Sequence, residues 1–144
     1  LGTIEIFDHT ADVGLKVRGA SLGDLFQTAA QGLFDYIVVN RHEVRTERWD
    51  SITLEADEAS ELLAMWLNEL IYRLETEHRI YAEFVVDVAD DGCRLQARIG
   101  GEPIDPDRHI LDHEVKAVTR HGLSLQPDGA PGEEGWVAEL ILDI

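Results

Sequence analysis

Apolar residues recur at three- and four-residue steps after Ser21, at Leu22, Leu25, Phe26, Ala29, Leu33, Phe34 and Ile37. That spacing places them on one stripe of an α-helix. Ser21 followed by Asp24 resembles a capping box with an acid in place of the usual Glu. A second helix is predicted after Asp57, read as its N-cap, with Leu62, Leu63, Trp66, Leu67, Leu70, Ile71 and Leu74 on the apolar face and Glu58 and Glu61 in the first turn. The rest of the chain alternates with period two. Strands are expected at Ile4–Ile6, Leu15–Val17, Val44–Leu54, Tyr81–Val88, Cys93–Ile99, Val115–Val118, Leu123–Leu125 and Trp136–Leu142. Asp90, Asp91 and Gly92 supply hairpin-turn chemistry, and Gln126–Gly135, with two prolines and three glycines, reads as a loop. Two amphipathic helices among hairpin-linked strands predict an α+β fold in which a mixed or antiparallel sheet carries both helices on one face.

At 144 residues, with no linker or internal repeat, residues 1–144 form a single domain. The 29 Asp+Glu against 12 Lys+Arg give a formal charge of −17, which argues against strong nucleic-acid binding through phosphates and against anionic membrane surfaces. It leaves open cation binding, a basic protein partner, or solubility alone. No apolar run approaches the ~20 residues of a membrane span. The single cysteine, Cys93, has no disulfide partner and points to a reducing cytoplasm. Its alternation with Leu95, Ala97 and Ile99 predicts a thiol in a strand core.

Asp8-His9-Thr10-Ala11-Asp12-Val13-Gly14 joins the first two strands and packs two acids and a histidine into five residues. An ordinary polar turn would use the same residue types for capping. At the other end, Asp143-Ile144 directly follows an apolar strand, which fixes a side-chain carboxylate and the carboxylate of Ile144 at a strand end. If the first and last strands are neighbours, these acids converge with Asp12 on a hard-oxygen cation site.

Other constellations are weaker. Asp105, Asp107 and Asp112 fail EF-hand spacing, with Ile110 where the turn glycine belongs, and the stretch reads as a polar loop. His109, His113 and His121 lack zinc-site spacing. No GxSxG elbow marks a serine nucleophile. Lys116, on an alternating strand, points away from the face of Val115 and Ala117, either as an edge-protecting charge or as a partner to the acids.

The Asp8–Gly14 motif, Gly32-Leu33-Phe34-Asp35 in the first helix, Glu114–Thr119 followed by His121, and the terminal Leu142-Asp143-Ile144 together resemble the archease family, in the same order over essentially the whole chain. The resemblance implies a small cytoplasmic α+β protein that assists an RtcB-type RNA ligase in tRNA splicing and RNA repair. Such a protein is not itself a catalyst: it promotes guanylylation of the ligase's active-site histidine and multiple turnover. It also implies that Asp12, Asp143 and Ile144 bind a divalent cation, calcium first, with manganese or magnesium as alternatives, and that Asp8 joins them where the family accepts either acid. Lys116, Asp35 and His9 are then candidates for the contact with the ligase. The stretch from Asp128 to Glu134 looks longer than a minimal family hairpin. Two competing readings are a general chaperone or interaction module, and a metal-dependent hydrolase using His9 or His121 as base.

Overall fold

The computed structural model describes residues 2–9, 12–129 and 134–144, and for Asp8 and His9 the backbone alone. In chain order the elements are β1 (Thr3–His9), β2 (Asp12–Gly19), α1 (Leu22–Ile37), a 3-10 turn (Arg41–Glu43), β3 (Arg48–Glu55), α2 (Ala59–Glu77), β4 (Arg79–Val88), β5 (Arg94–Pro103), β6 (Ala117–Pro127) and β7 (Trp136–Asp143). The α+β class is as expected, but the strands do not form one sheet. They divide into a four-stranded sheet ordered β1-β2-β7-β6 and a three-stranded sheet ordered β3-β5-β4, both antiparallel throughout.

The helices interlock the two sheets. α1 covers β2 with its flanks on β1 and β7 and lies alongside β4; α2 lies alongside β6 and reaches over β3, β4 and β5. Each helix thus covers one sheet and abuts an outer strand of the other. Every residue of the predicted α1 stripe is buried, as are Leu62, Leu63, Trp66, Leu67, Leu70 and Ile71 of α2. These meet the inward-facing residues Leu15 and Val17 of β2, Leu95 and Ile99 of β5, and Ala138, Leu140 and Leu142 of β7. Phe34 meets Tyr81 edge-on at 5.8 Å, and the Trp66 indole N–H donates to the Phe26 carbonyl at 3.0 Å, tying α2 to α1.

Several boundaries differ from expectation for local reasons. The cap of α1 is as read: Ser21 Oγ accepts from the Asp24 N–H, and Asp24 reaches back to the Ala20 N–H. α2 is capped by Glu58 rather than Asp57, with no side-chain bond to the helix. β3 begins only at Arg48: the Val44 N–H closes the 3-10 turn of Arg41–Glu43 on the Arg41 carbonyl, and residues 44–47 of the predicted strand lead out of that turn before the ladder begins. The two short strands predicted near Val115–Val118 and Leu123–Leu125 are one strand, irregular between Thr119 and Ser124, where Gly122 adopts a positive φ of 74°. Lys116 consequently precedes β6 rather than lying within it. Pro127 ends β6, so the expected Gln126–Gly135 loop is shorter; its residues 130–133 lie outside the described residues. Cys93 is not a core residue. It sits in the β4–β5 turn, half-buried, beside the Asp57 and Asp91 carbonyls, and desolvation together with the Asp91 and Asp57 charges pushes its thiol pKa up. Among the described residues no helix is long and apolar enough to cross a membrane.

Candidate functional site

The strand that receives the chain's last residues is β2, not β1. In the β2–β7 ladder Asp12 stands directly opposite Asp143, and His9 stands opposite Asp12 across the β1–β2 turn. Side chains directly opposite in register share a face of the sheet. The inward positions of β2 are Val13, Leu15 and Val17, which leaves Asp12 and Asp143 on the outward face with Lys16 and Glu139, an ion pair at 3.9 Å. The apolar alternation of both strands therefore holds two carboxylates side by side: a slip of one residue in either strand would send one of them into the core.

Gly14 makes room for what lies next to this pair. A Cβ there would fall 2.1 Å from ring atoms of Phe7, so the Phe7 ring lies flat across β2 where a side chain would stand. The third strand of the same row is β6, whose Ala117 is opposite Asp143. The backbone N–H of Lys116 donates to the Asp143 carbonyl at 2.7 Å, which ties the Lys116 backbone to the end of β7 while its side chain is exposed.

The start of β6 is itself held from α2. The Asn68 side chain accepts from the Val118 N–H at 2.8 Å and donates to the Val118 carbonyl at 3.1 Å. The amide thus imitates one rung of a neighbouring strand on the outermost strand of the sheet. Farther along, the Arg120 guanidinium grips Glu61 with both Nε and an Nη nitrogen, and this pairing holds the Glu61 carboxyl below its usual range.

Asp12 and Asp143 come together, and Ile144 follows one residue past β7; the side chains of Asp8 and His9 and all of Thr10 and Ala11 lie outside the described residues. Asp35 does not join them. It sits on α1 and accepts from Arg41 Nε at 2.6 Å, while Arg41 also donates to the Ala82 carbonyl of β4. Among the described residues no three His, Cys, Asp or Glu side chains gather closely enough to hold a metal ion. What the register brings together is a pair of carboxylates, Asp12 and Asp143, oxygen donors of the kind that hard divalent cations prefer over zinc, but not by themselves a closed coordination shell.

The three histidines considered for zinc lie apart in role. His109 is buried: Nδ1 accepts from the Asp105 N–H at 2.8 Å, which leaves the ring proton on Nε2, 3.1 Å from Glu102. His113 stacks on Tyr36 at 4.2 Å, and His121 lies in β6. Burial alone would raise the Glu102 pKa, but bonds from the Arg45 N–H, Arg108 and His109 outweigh it and hold the carboxyl below the ordinary range. This buried cluster pins the 103–110 loop and provides no open coordination site. Asn68 and Glu102 had no motif to announce them: each matters through partners that are 50 and 57 positions away in sequence, respectively.

A family model described as the Archease protein family matches residues 4–144. The protein archease of Pyrococcus abyssi is 33% identical over 144 residues, covering 97% of each chain. That of Methanopyrus kandleri is 35% identical over 143 residues, covering 97% of this chain and 98% of its own. The solution structure of Methanobacterium thermoautotrophicum protein 1598 superposes with a TM-score of 0.77 at 29% identity, covering 98% of both chains. The crystal structure of a Thermotoga maritima archease, described as a possible chaperone, has a TM-score of 0.64 at 17% identity over 96% of this chain and 94% of its own, a likeness of fold. With the match running from β1 to the last residue and taking in both carboxylate-bearing strands, the chain belongs to the archease family.

Proposed function

We propose that this chain is an accessory protein to an RtcB-type RNA ligase, promoting guanylylation of the ligase's active-site histidine and multiple turnover in tRNA splicing and RNA repair. The observation that carries the reading is the β2–β7 register, which sets Asp12 opposite Asp143. Asp12, Asp143 and the Ile144 carboxylate would hold a divalent cation, calcium first, with manganese or magnesium as alternatives and Asp8 as a further donor. Such an ion supplies Lewis-acid neutralisation of charge on nucleotide phosphates or leaving pyrophosphate. The chain's own residues bring the carboxylates together by strand register, cover the adjacent backbone with Phe7, and set Lys116 beside Asp143. Lys116, His9 and Asp35 are the proposed contacts to the ligase. Two carboxylates opposed across a ladder repel, and a cation or a basic partner relieves that repulsion. In this role the chain activates the ligase's chemistry and is not itself the catalyst, and it shares the ligase's cytoplasmic location.

The test is a guanylylation assay on the cognate ligase at limiting manganese. Intact protein should accelerate guanylylation. A chain lacking Asp143 and Ile144, and an Asp12→Ala variant, should not. Equal stimulation by all three would refute the cation-site reading, and no stimulation by the intact protein would refute the ligase reading. A chaperone is the second reading, favoured by the exposed side chains of Ile6, Val39 and Ile110. It predicts suppressed aggregation of unrelated clients, with Asp143→Ala as effective as the parent.

A further inference from the structure

Exposed apolar side chains concentrate where α1 ends. Val39 is 57% exposed and Ile110 58%, and the Val39 N–H donates to the Ile110 carbonyl at 2.9 Å, so the two sit side by side. Ile6 of β1, 54% exposed, joins Val39 and Tyr36 in lining a cleft of about 410 Å³. Leu111, 47% exposed, opens onto a second cleft of about 610 Å³ on the other side of the Asp112–His113 ridge. The 110–115 segment, tied to the end of α1 by the Asp112 N–H on the Ile37 carbonyl, runs into Lys116, whose N–H bonds the Asp143 carbonyl, so the patch connects along the chain to the strand ends that carry the carboxylate pair.

The backbone beneath the patch is firmly held. Asn40 accepts from the Ile110 N–H through its carbonyl oxygen and donates to the Arg108 carbonyl and Glu43. The Asp112 N–H bonds the Ile37 carbonyl, and Leu111 bridges Val38. Apolar side chains presented outward on a rigid frame are typical of a contact surface rather than of a fluctuating loop.

Charge identifies the occupant. Asp35, Glu75, Asp112 and Glu114 line the two clefts, and no Lys or Arg is among the described residues that do; the cleft on the far side of Ile110 holds Arg45 and Arg108 beside Glu43 and Asp107, with Arg108 paired to Glu102 and Asp105. Only the Asp35 charge is met by an arginine, Arg41, from beneath. A nucleic acid would set phosphates against these carboxylates. A second copy would present the same carboxylates to themselves across a two-fold interface, on chains that each carry −17.

We propose that the Ile6–Val39–Ile110–Leu111 patch is a docking surface for a basic protein segment, one that seats apolar side chains in the two clefts while its Lys or Arg residues meet the carboxylate rim. This rests on the reading that the chain acts on a partner protein, and it assigns the face on which that partner sits.

The test uses a fluorescein-labelled peptide of alternating Leu and Lys, followed by anisotropy, and runs the ligase guanylylation assay in parallel. A Val39→Asp, Ile110→Asp double variant should bind the peptide at least tenfold more weakly than the parent. Val85→Asp, which places the same charge at a side chain 54% exposed on the three-stranded sheet, should bind it no more weakly than the parent. The sign is diagnostic: if attraction to net negative charge were all that held the peptide, each added Asp would tighten binding. Equal or tighter binding by the double variant, equal loss in Val85→Asp, or no binding by the parent overturns the proposal, as does a peptide of alternating Leu and Ser binding as tightly. A dimer of the parent in sedimentation that the double variant dissolves would assign the face to a second copy and overturn it too. Thermal midpoints within a few degrees of the parent establish that the variants fold. If peptide binding behaves as expected but the parent fails to stimulate the ligase, the ligase reading falls and the docking surface stands. If stimulation survives in the double variant, the surface falls and the ligase reading stands.

Discussion

The hold that Asn68 exerts on β6 makes a quantitative claim. Asn68→Ala removes an acceptor 2.8 Å from the Val118 N–H and a donor 3.1 Å from its carbonyl; Val118 is only 2% exposed, while Asn68 itself is half-buried. A typical protein hydrogen bond contributes about 1 kcal/mol net, and leaving a buried polar group unpaired costs more, so the loss is about 2–3 kcal/mol. For a domain of this size that lowers the thermal midpoint by roughly 6–10 °C. Asn68→Asp is the sharper variant. Its carboxylate still accepts from the Val118 N–H but opposes the Val118 carbonyl with a charge and no donor, so near neutral pH it should be no more stable than Asn68→Ala. The protonated acid regains a donor, which raises its folded pKa above the unfolded value. Relative to Asn68→Ala at the same pH, Asn68→Asp therefore gains stability as pH falls toward ~4. Denaturant unfolding measures the energies, and hydrogen exchange at the Val118 and Lys116 amides reports whether the strand start loosens. Both variants lying within ~0.5 kcal/mol of the parent, the usual scatter for surface changes, would refute the claim.

Gly14→Ala should push the Phe7 ring off β2, lowering stability by about 1–3 kcal/mol as overpacking does; pairing it with Phe7→Ala should recover part of the loss in the double-mutant cycle, and full additivity would contradict the contact. Because Glu102 is held below its ordinary value of 4.5, its stabilisation is complete above that pH and is lost as the pH falls through the lower folded value. Glu102→Gln should flatten the acid limb of a stability–pH curve, and an unchanged limb would show that the cluster does not govern it. Asp143→Asn, in chelator, should raise the thermal midpoint slightly by relieving a cross-strand repulsion of about 0.2–1 kcal/mol. It should also abolish the midpoint increase that millimolar calcium, magnesium or manganese gives the parent. No increase in the parent with any of the three would remove the cation from the proposal.

The helix stripes were legible because period-3.6 burial is a local property: the α1 stripe and nearly all of the α2 face are buried as the spacing requires. Strand alternation revealed which side of each strand faces inward but not which strand is its neighbour, and so the sheet divided and Asp143 met β2 rather than β1. The carboxylate pair was still anticipated, since Asp12 and Asp143 each mark the end of an alternating run. Cys93 misled because alternation extended one step too far, past Gly92, whose positive φ of 75° turns the chain. Asp35 followed from a motif, whereas its ion pair with Arg41 is set by how α1 meets the following turn. Asn68 and the Glu102 cluster act through distant backbone atoms, and side-chain periodicity carries no trace of such partners.

The interlocking of helices and sheets also limits how these molecules can aggregate. In the four-stranded sheet the start of one outer strand, β6, is blocked by α2 at Val118, whereas β1 offers its outer side to a foreign strand. Two molecules joined edge to edge through β1 would form a doubled sheet in which each far strand is capped at Val118 by its own helix. A strand adding along the whole length of β6 would have to displace α2 there, surrendering both Asn68 bonds.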